Sequence, residues 1–155
     1  MADNAAGGLD QGTENAALSD ALAAEHAAVW GYGVVGAALP ENARQQAEDA
    51  ESAHRTVRDQ VSALLAGRKA DVVDAHGAYA LPFPVLSAVD AAALGVVLEE
   101  GVEKAWVRVL DQAAERSTRE LAVGALSAAE VRAVAWRVAA GRTPVTTPFP
   151  GLPPK

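Results

Sequence analysis

Apolar residues recur at helical spacing in four blocks of the chain. At about 100° per residue, Leu18, Leu22, Val29 and Tyr32 share one stripe, which predicts a first helix from about Glu14 or Asn15 to Leu39. Pro40 ends it, because its ring and missing N–H oppose continuation. A second helix runs from about Glu41 to Ala66 and stops at Gly67. Its buried stripe is Ala43, Ala47, Ala50, Val57, Val61 and Leu64 or Leu65. So short a link forces the two into an antiparallel pair. A third helix opens at Ser87, with Asp90 three residues on as a relative of the capping box, and continues to about Ala114. Asp90, Lys104, Arg108 and Asp111 mark its solvent face. Beyond it, "STRELAVG" from about Ser117 and "SAAEVRAVAWRVAAG", capped by Ser127 with Glu130 and stopped at Gly141, read as one interrupted fourth helix. Val131, Val134 and Val138 form its apolar stripe.

The connections carry as much information as the helices. "GRKADVVDAHGAYALPFPVL" has no sustained period and holds Pro82 and Pro84. Its roughly twenty residues are long for a structureless link inside a domain. Extended, it reaches about 60 Å, whereas a helix of about 25 residues is roughly 37 Å long, so it can cross a whole bundle. The tail, "RTPVTTPFPGLPPK", is too rich in proline for a helix and reads as extended chain, with Phe149 and Leu152 as its means of docking. The expected organisation is a disordered lead over 1–14, a helical bundle over 15–141, and a docked tail over 142–155.

Several ionisable residues fall on the wrong side of these helices. Glu25 lies in the middle of the first apolar stripe. His26 lies to one side, and Gly33 and Gly36 leave room for another backbone. His54 sits within the second stripe, with Glu51 one turn earlier at its edge. Glu99 points nearly along the core direction of the third helix, with Glu103 beside it and Glu100 turned outward. A buried carboxylate needs a partner, a proton or a metal, since burial of an isolated charge costs several kcal/mol even after relaxation. Tyr32, Arg58 and Arg132 are the available satisfiers. His76 reads as a solvated loop residue. Trp30, Trp106 and Trp136 read as packing groups, Trp30 facing a second subunit.

Composition narrows the chemistry. The chain has 155 residues, enough to bury a core without staples, and no cysteine, which removes disulfides, iron–sulfur clusters and thiol catalysis. The formal charge is -7 and the basic residues are interspersed with acids, so no basic stripe offers a footprint for nucleic acid or an anionic membrane. The first residues lack the basic start and apolar centre of a secretory signal, which points to the cytoplasm. No nucleophile elbow, phosphate loop or dinucleotide fingerprint is present.

From "AAEHAAVWGYGVVGAAL" through "AYALPFPV" and "EKAW" to "RAVAWR" and "TPFPGLP", about residues 15 to 153, the chain resembles an uncharacterised actinobacterial ferritin-like family, a domain of unknown function. The resemblance implies an all-α ferritin-like four-helix bundle with a long crossover between helices 2 and 3 and an interrupted helix 4, and it carries no assigned activity. Such bundles hold a dinuclear metal centre on one Glu from each of two helices and Glu-x-x-His from the other two. Glu25 matches the single Glu of helix 1, Glu51 and His54 supply "ESAH", and Glu99 or Glu103 matches helix 3. Helix 4 departs from the pattern, with Glu130-Val131-Arg132-Ala133 placing Ala133 where histidine should stand.

Two readings follow. In the first, the protein is non-catalytic, and Arg132 or Arg58 neutralises an incomplete carboxylate and histidine cluster. In the second, Glu25, Glu51, His54 and Glu99 or Glu103 bind a single Fe, Mn or Zn ion in an oxidoreductase-like or metal-storage protein, with Tyr32 above the site. In either case the helices are apolar around much of their circumference, which predicts a homodimer.

Overall fold

The computed structural model describes the backbone of residues 3–153 and the side chains of residues 11–153. Among them are four α-helices and no strand: α1 (Asp3–Ala38), α2 (Arg44–Gly67), α3 (Ala88–Gln112) and α4 (Arg116–Ala139), with one 3-10 turn, Glu41–Ala43, after Pro40. α1 begins at Asp3, ahead of the Glu14 or Asn15 start that the sequence predicts and inside the expected lead. Met1, Ala2, Pro154 and Lys155, the outermost residues of that lead and of the expected tail, lie outside the described residues.

Helix ends follow local chemistry. The Ser87 hydroxyl accepts the Asp90 N–H at 3.1 Å, and the Asp90 carboxylate accepts from the Ser87 hydroxyl at 2.8 Å and the Leu86 N–H at 3.1 Å, which closes the predicted cap of α3. α4 is continuous through Gly124 and Ser127, so the expected interruption is absent. Ser127 adds no cap there because its neighbours' backbone groups are already paired along the helix. α4 starts instead on Glu14 of α1: its carboxylate accepts the Ala114 and Glu115 N–H groups at 2.6 and 2.9 Å and the Thr118 hydroxyl at 2.5 Å. The Arg68 guanidinium completes this buried cap at 2.6 Å. At the other end of α4, Gly141 takes a left-handed φ of 65° and Arg142 N–H returns to the Arg137 carbonyl.

α1 packs against α2 and α3, and α3 packs against α4. Leu18, Leu22, Val61, Leu65, Val102, Trp106 and Val109 fill one half of the core, and Tyr32, Val35, Leu94, Val96 and Trp136 the other. The residues joining α2 to α3 lie along α1: Arg68 donates to Asn15 at 2.8 Å, His26 meets the Val73 carbonyl at 3.1 Å, and Tyr79 rests on Trp30 with ring centroids 5.7 Å apart. Trp30, the residue expected to face a second subunit, is half-buried and meets the chain's own loop at Tyr79.

Side-chain size sets the closest approaches. A Cβ added at Gly95 would meet the Trp136 ring at 2.7 Å, and one at Gly31 would meet Leu98 at 2.5 Å. Gly33 has nothing within 4 Å and Gly36 only Ala47 at 3.9 Å, so the close passage expected there falls at Gly31 and Gly95 instead. The buried side of α4 is also different from its predicted stripe: Ala122, Ala125, Ala129, Ala133 and Trp136 face inward, while Val131 and Val138 are exposed.

Candidate functional site

Four helices converge on one buried polar network at mid-bundle. α1 presents Glu25 and, two turns on, Tyr32; α2 presents His54, α3 Glu99, and α4 Arg132 and Trp136. Glu25, Tyr32, His54 and Glu99 are each at most 1% exposed, so every charge among them must be answered inside the protein.

His54 joins the two carboxylates. Its Nδ1 lies 2.6 Å from Glu25 Oε2 and its Nε2 3.1 Å from Glu99 Oε1. Both ring nitrogens face acceptors, an arrangement that only the doubly protonated imidazolium satisfies. Burial opposes that charge, but the hydrogen bonds to Glu25 and then Glu99 outweigh it and hold the His54 pKa up at about 8. The second cation is Arg132, whose Nε donates to Glu99 Oε1 at 2.8 Å. Burial raises the Glu99 pKa, and His54 and Arg132 together overcome it, leaving the carboxyl below its ordinary range. Two carboxylates thus meet one imidazolium and one guanidinium.

Neutral donors finish the network. Trp106 Nε1 donates to Glu25 Oε1 at 2.7 Å, the Tyr32 hydroxyl donates to Glu99 Oε1, and Trp136 Nε1 donates to the Tyr32 oxygen at 2.7 Å. Burial, then the Glu99 charge, pushes the Tyr32 hydroxyl well above its usual pKa and keeps it a donor. The Tyr32 and His54 rings stack with centroids 5.4 Å apart. Within this network, Glu99 Oε2 is buried without a hydrogen-bond partner among the described residues.

The structure brings together Glu25, His54, Glu99, Tyr32 and Arg132, and separates the other candidates from them. Glu51 turns to its own helix surface, where its Oε1 accepts from Arg55 at 2.5 Å. One turn before His54 is about 60° round the helix, enough to leave the core. Arg58 pairs with neighbouring Asp59 at 2.8 Å. Glu103 is buried, but one turn along α3 from Glu99 it meets a different set of groups, Glu130 and Arg137 of α4. Trp106 and Trp136, read as packing groups, are also the indole donors of the network. Their N–H groups were the available signal, since a buried indole N–H needs an acceptor.

Glu103 belongs to a second cluster, below the C-terminal tail. Arg137, 3% exposed, donates to Glu130 at 3.0 Å, Glu100 at 3.3 Å and the Val145 carbonyl at 3.0 Å. Glu130 accepts the Thr147 N–H at 3.3 Å. The tail is held by these polar contacts and by Gly151, whose backbone passes so near α3 that a Cβ would sit 2.6 Å from the Glu103 carbonyl. Phe149 and Leu152, the expected docking groups, are 62% and 51% exposed.

A dinuclear centre of the ferritin-like kind requires carboxylate and imidazole lone pairs turned to a common point. Here both Glu25 oxygens and Glu99 Oε1 are engaged by protein donors, His54 offers no free lone pair, Glu51 faces outward, and α4 contributes a guanidinium. No group of three His, Asp or Glu among the described residues is placed to hold a metal ion. The residues do not fit a dinuclear metal.

No helix among the described residues is long and apolar enough to cross a membrane. No curated protein matches the chain. Among solved structures it is similar to a conserved hypothetical protein from Mycobacterium tuberculosis, with 39% identity and a TM-score of 0.80 over 82% of this chain and 96% of that one. A family model described as Domain of unknown function (DUF4439) matches residues 17–154. An all-helical chain matched along nearly its whole length by that model belongs to the DUF4439 family.

Proposed function

We propose that the protein is a non-catalytic, ferritin-like helical bundle whose central carboxylates serve architecture, with His54 and Arg132 in the place of metal. The observation that carries this reading is the donor set around Glu99 and Glu25: His54 bridges both, Arg132 and Tyr32 bind the first, and Trp106 binds the second. Each contact joins different helices, so the network specifies which faces meet and at what height, the role best attested for buried polar groups. The path of the chain from Arg68 past His26 and Trp30 supports a crossover between α2 and α3.

A second reading, a single Fe, Mn or Zn ion, has one observation in its favour, the unpartnered Glu99 Oε2. Metal analysis of protein purified without chelators separates the two. The structural reading expects no stoichiometric transition metal and unchanged thermal stability on adding iron, manganese or zinc; a stoichiometric ion lost in His54→Ala overturns it. Dimerisation is part of the proposal, with exposed Val131 and Val138, two turns apart on α4, as the contact surface. Light scattering that reports a monomer removes that part.

A further inference from the structure

The tail, α3 and α4 enclose a cavity of about 560 Å³, within the range of small-molecule sites. One wall is apolar, made by Pro148, Phe149, Leu152 and Pro153 of the tail; the other carries Glu103, Glu100 and Arg137, together with the exposed Lys104. The polar groups are unequally satisfied. Arg137 is bound to Glu130, Glu100 and the Val145 carbonyl, so it has little left for an incoming anion. Glu103 is 1% exposed and its Oε1 has no hydrogen-bond partner among the described residues. A pocket whose unanswered atom is a buried carboxyl oxygen and whose opposite wall is aromatic and aliphatic selects a ligand with a donor at one end and an apolar body at the other.

We propose that this cavity binds a small amphipathic amine, its ammonium group paired with the Glu103 carboxylate and its apolar body lying against Phe149, Leu152 and Pro148. The site is separate from the His54 network and does not depend on that network's role. Phe149 and Leu152, exposed on the tail, offer the apolar surface that the ligand body covers.

Binding is linked to a proton. Glu103 faces Glu130 and Arg137 from α4 and Glu100 on its own helix, with Lys104 also lining the cavity, while the tail brings the Gly151 backbone beside it and turns the Thr147 hydroxyl to Glu130. Burial, then the hydrogen bond to Glu130, pushes the Glu103 pKa up to about 8, so this carboxyl is mostly protonated at pH 7. An entering ammonium favours the carboxylate and expels that proton to solvent.

The test is calorimetric titration of the full chain with 2-phenylethylamine, against neutral 2-phenylethanol and anionic 3-phenylpropanoate. The amine is expected to bind at least about tenfold more tightly than either, with affinity rising at least about tenfold from about pH 6.5 to about pH 8.5 and proton release visible in the buffer dependence of the heat. Glu103→Gln, which resembles the neutral carboxyl in shape, is expected to keep the helical circular dichroism and lose both the preference and the pH dependence. Leu152→Ala alters only an exposed tail residue and is expected to weaken binding several-fold. Equal affinity for amine and alcohol, a preference for the carboxylate, no binding of the amine, or full amine affinity in either variant overturns the proposal.

Discussion

Arg132 places its Nε 2.8 Å from Glu99 Oε1, bringing a guanidinium from α4 to the carboxylate that α3 sends into the core. The same oxygen receives His54 at 3.1 Å. Removing the Glu99 charge leaves Arg132 and half of His54 without an answer, whereas the outward Glu51 has only its exposed neighbour Arg55. Glu99→Gln is therefore expected to cost about 3–5 kcal/mol in chemical denaturation, and Glu51→Ala no more than about 0.5 kcal/mol. Similar losses in the two variants would contradict the placement of Glu51.

Stability should fall as pH rises toward 8. The folded His54 pKa of about 8 lies above its ordinary 6.5, so its contribution is complete below 6.5 and is lost as pH rises through about 8. The shift corresponds to about 2 kcal/mol. Glu103 acts in the same direction: the folded chain keeps a proton that the unfolded chain releases near 4.5, so stability declines from there up to about 8. Denaturation midpoints measured across this span should show the decline, flattened between 4.5 and 6.5 in Glu103→Gln and reduced to about half its slope between 6.5 and 8 in either Glu103→Gln or His54→Gln.

Two glycines make a matched pair. Gly95→Ala drives a Cβ to 2.7 Å from the Trp136 ring, whose indole is fixed by its bond to Tyr32, and overpacking of this kind costs about 1–3 kcal/mol. Gly33→Ala meets nothing within 4 Å on an exposed helical face and should stabilise by up to about 1 kcal/mol. Thermal melts of the two variants should move in opposite directions.

The tail hinges on Gly151. Its φ of 77° suits glycine, and a Cβ would collide with the Glu103 carbonyl, so Gly151→Ala costs more than about 1 kcal/mol of docking. Limited trypsin digestion should then cut after exposed Arg142 faster than in the parent, with the helical circular dichroism unchanged.

The helical period was enough to find Glu25, His54 and Glu99, because each sits inside a stripe of apolar neighbours. It failed for Glu51, at a stripe's edge, where an Arg four residues on offers a solvated alternative. Glu103 shares the inward direction of Glu99, but direction around a helix says nothing of height along the bundle, and height decided its partners. On α4 the eye follows valine, the larger apolar residue; the close contact with α3 selects alanine, and Val131 and Val138 turn out. The cap that Glu14 makes on α4 joins residues about a hundred positions apart and leaves no local signature.

The distribution of charge over the four helices has a consequence for how the molecule comes apart. The acceptors Glu25 and Glu99 stand on α1 and α3, and the cations His54 and Arg132 arrive from α2 and α4. Peeling away either α2 or α4 strips one cation from a carboxylate that remains embedded between the other helices. Partly opened forms thus carry a stranded negative charge that neither the folded nor the fully unfolded chain bears, and the bundle should melt cooperatively, in one step.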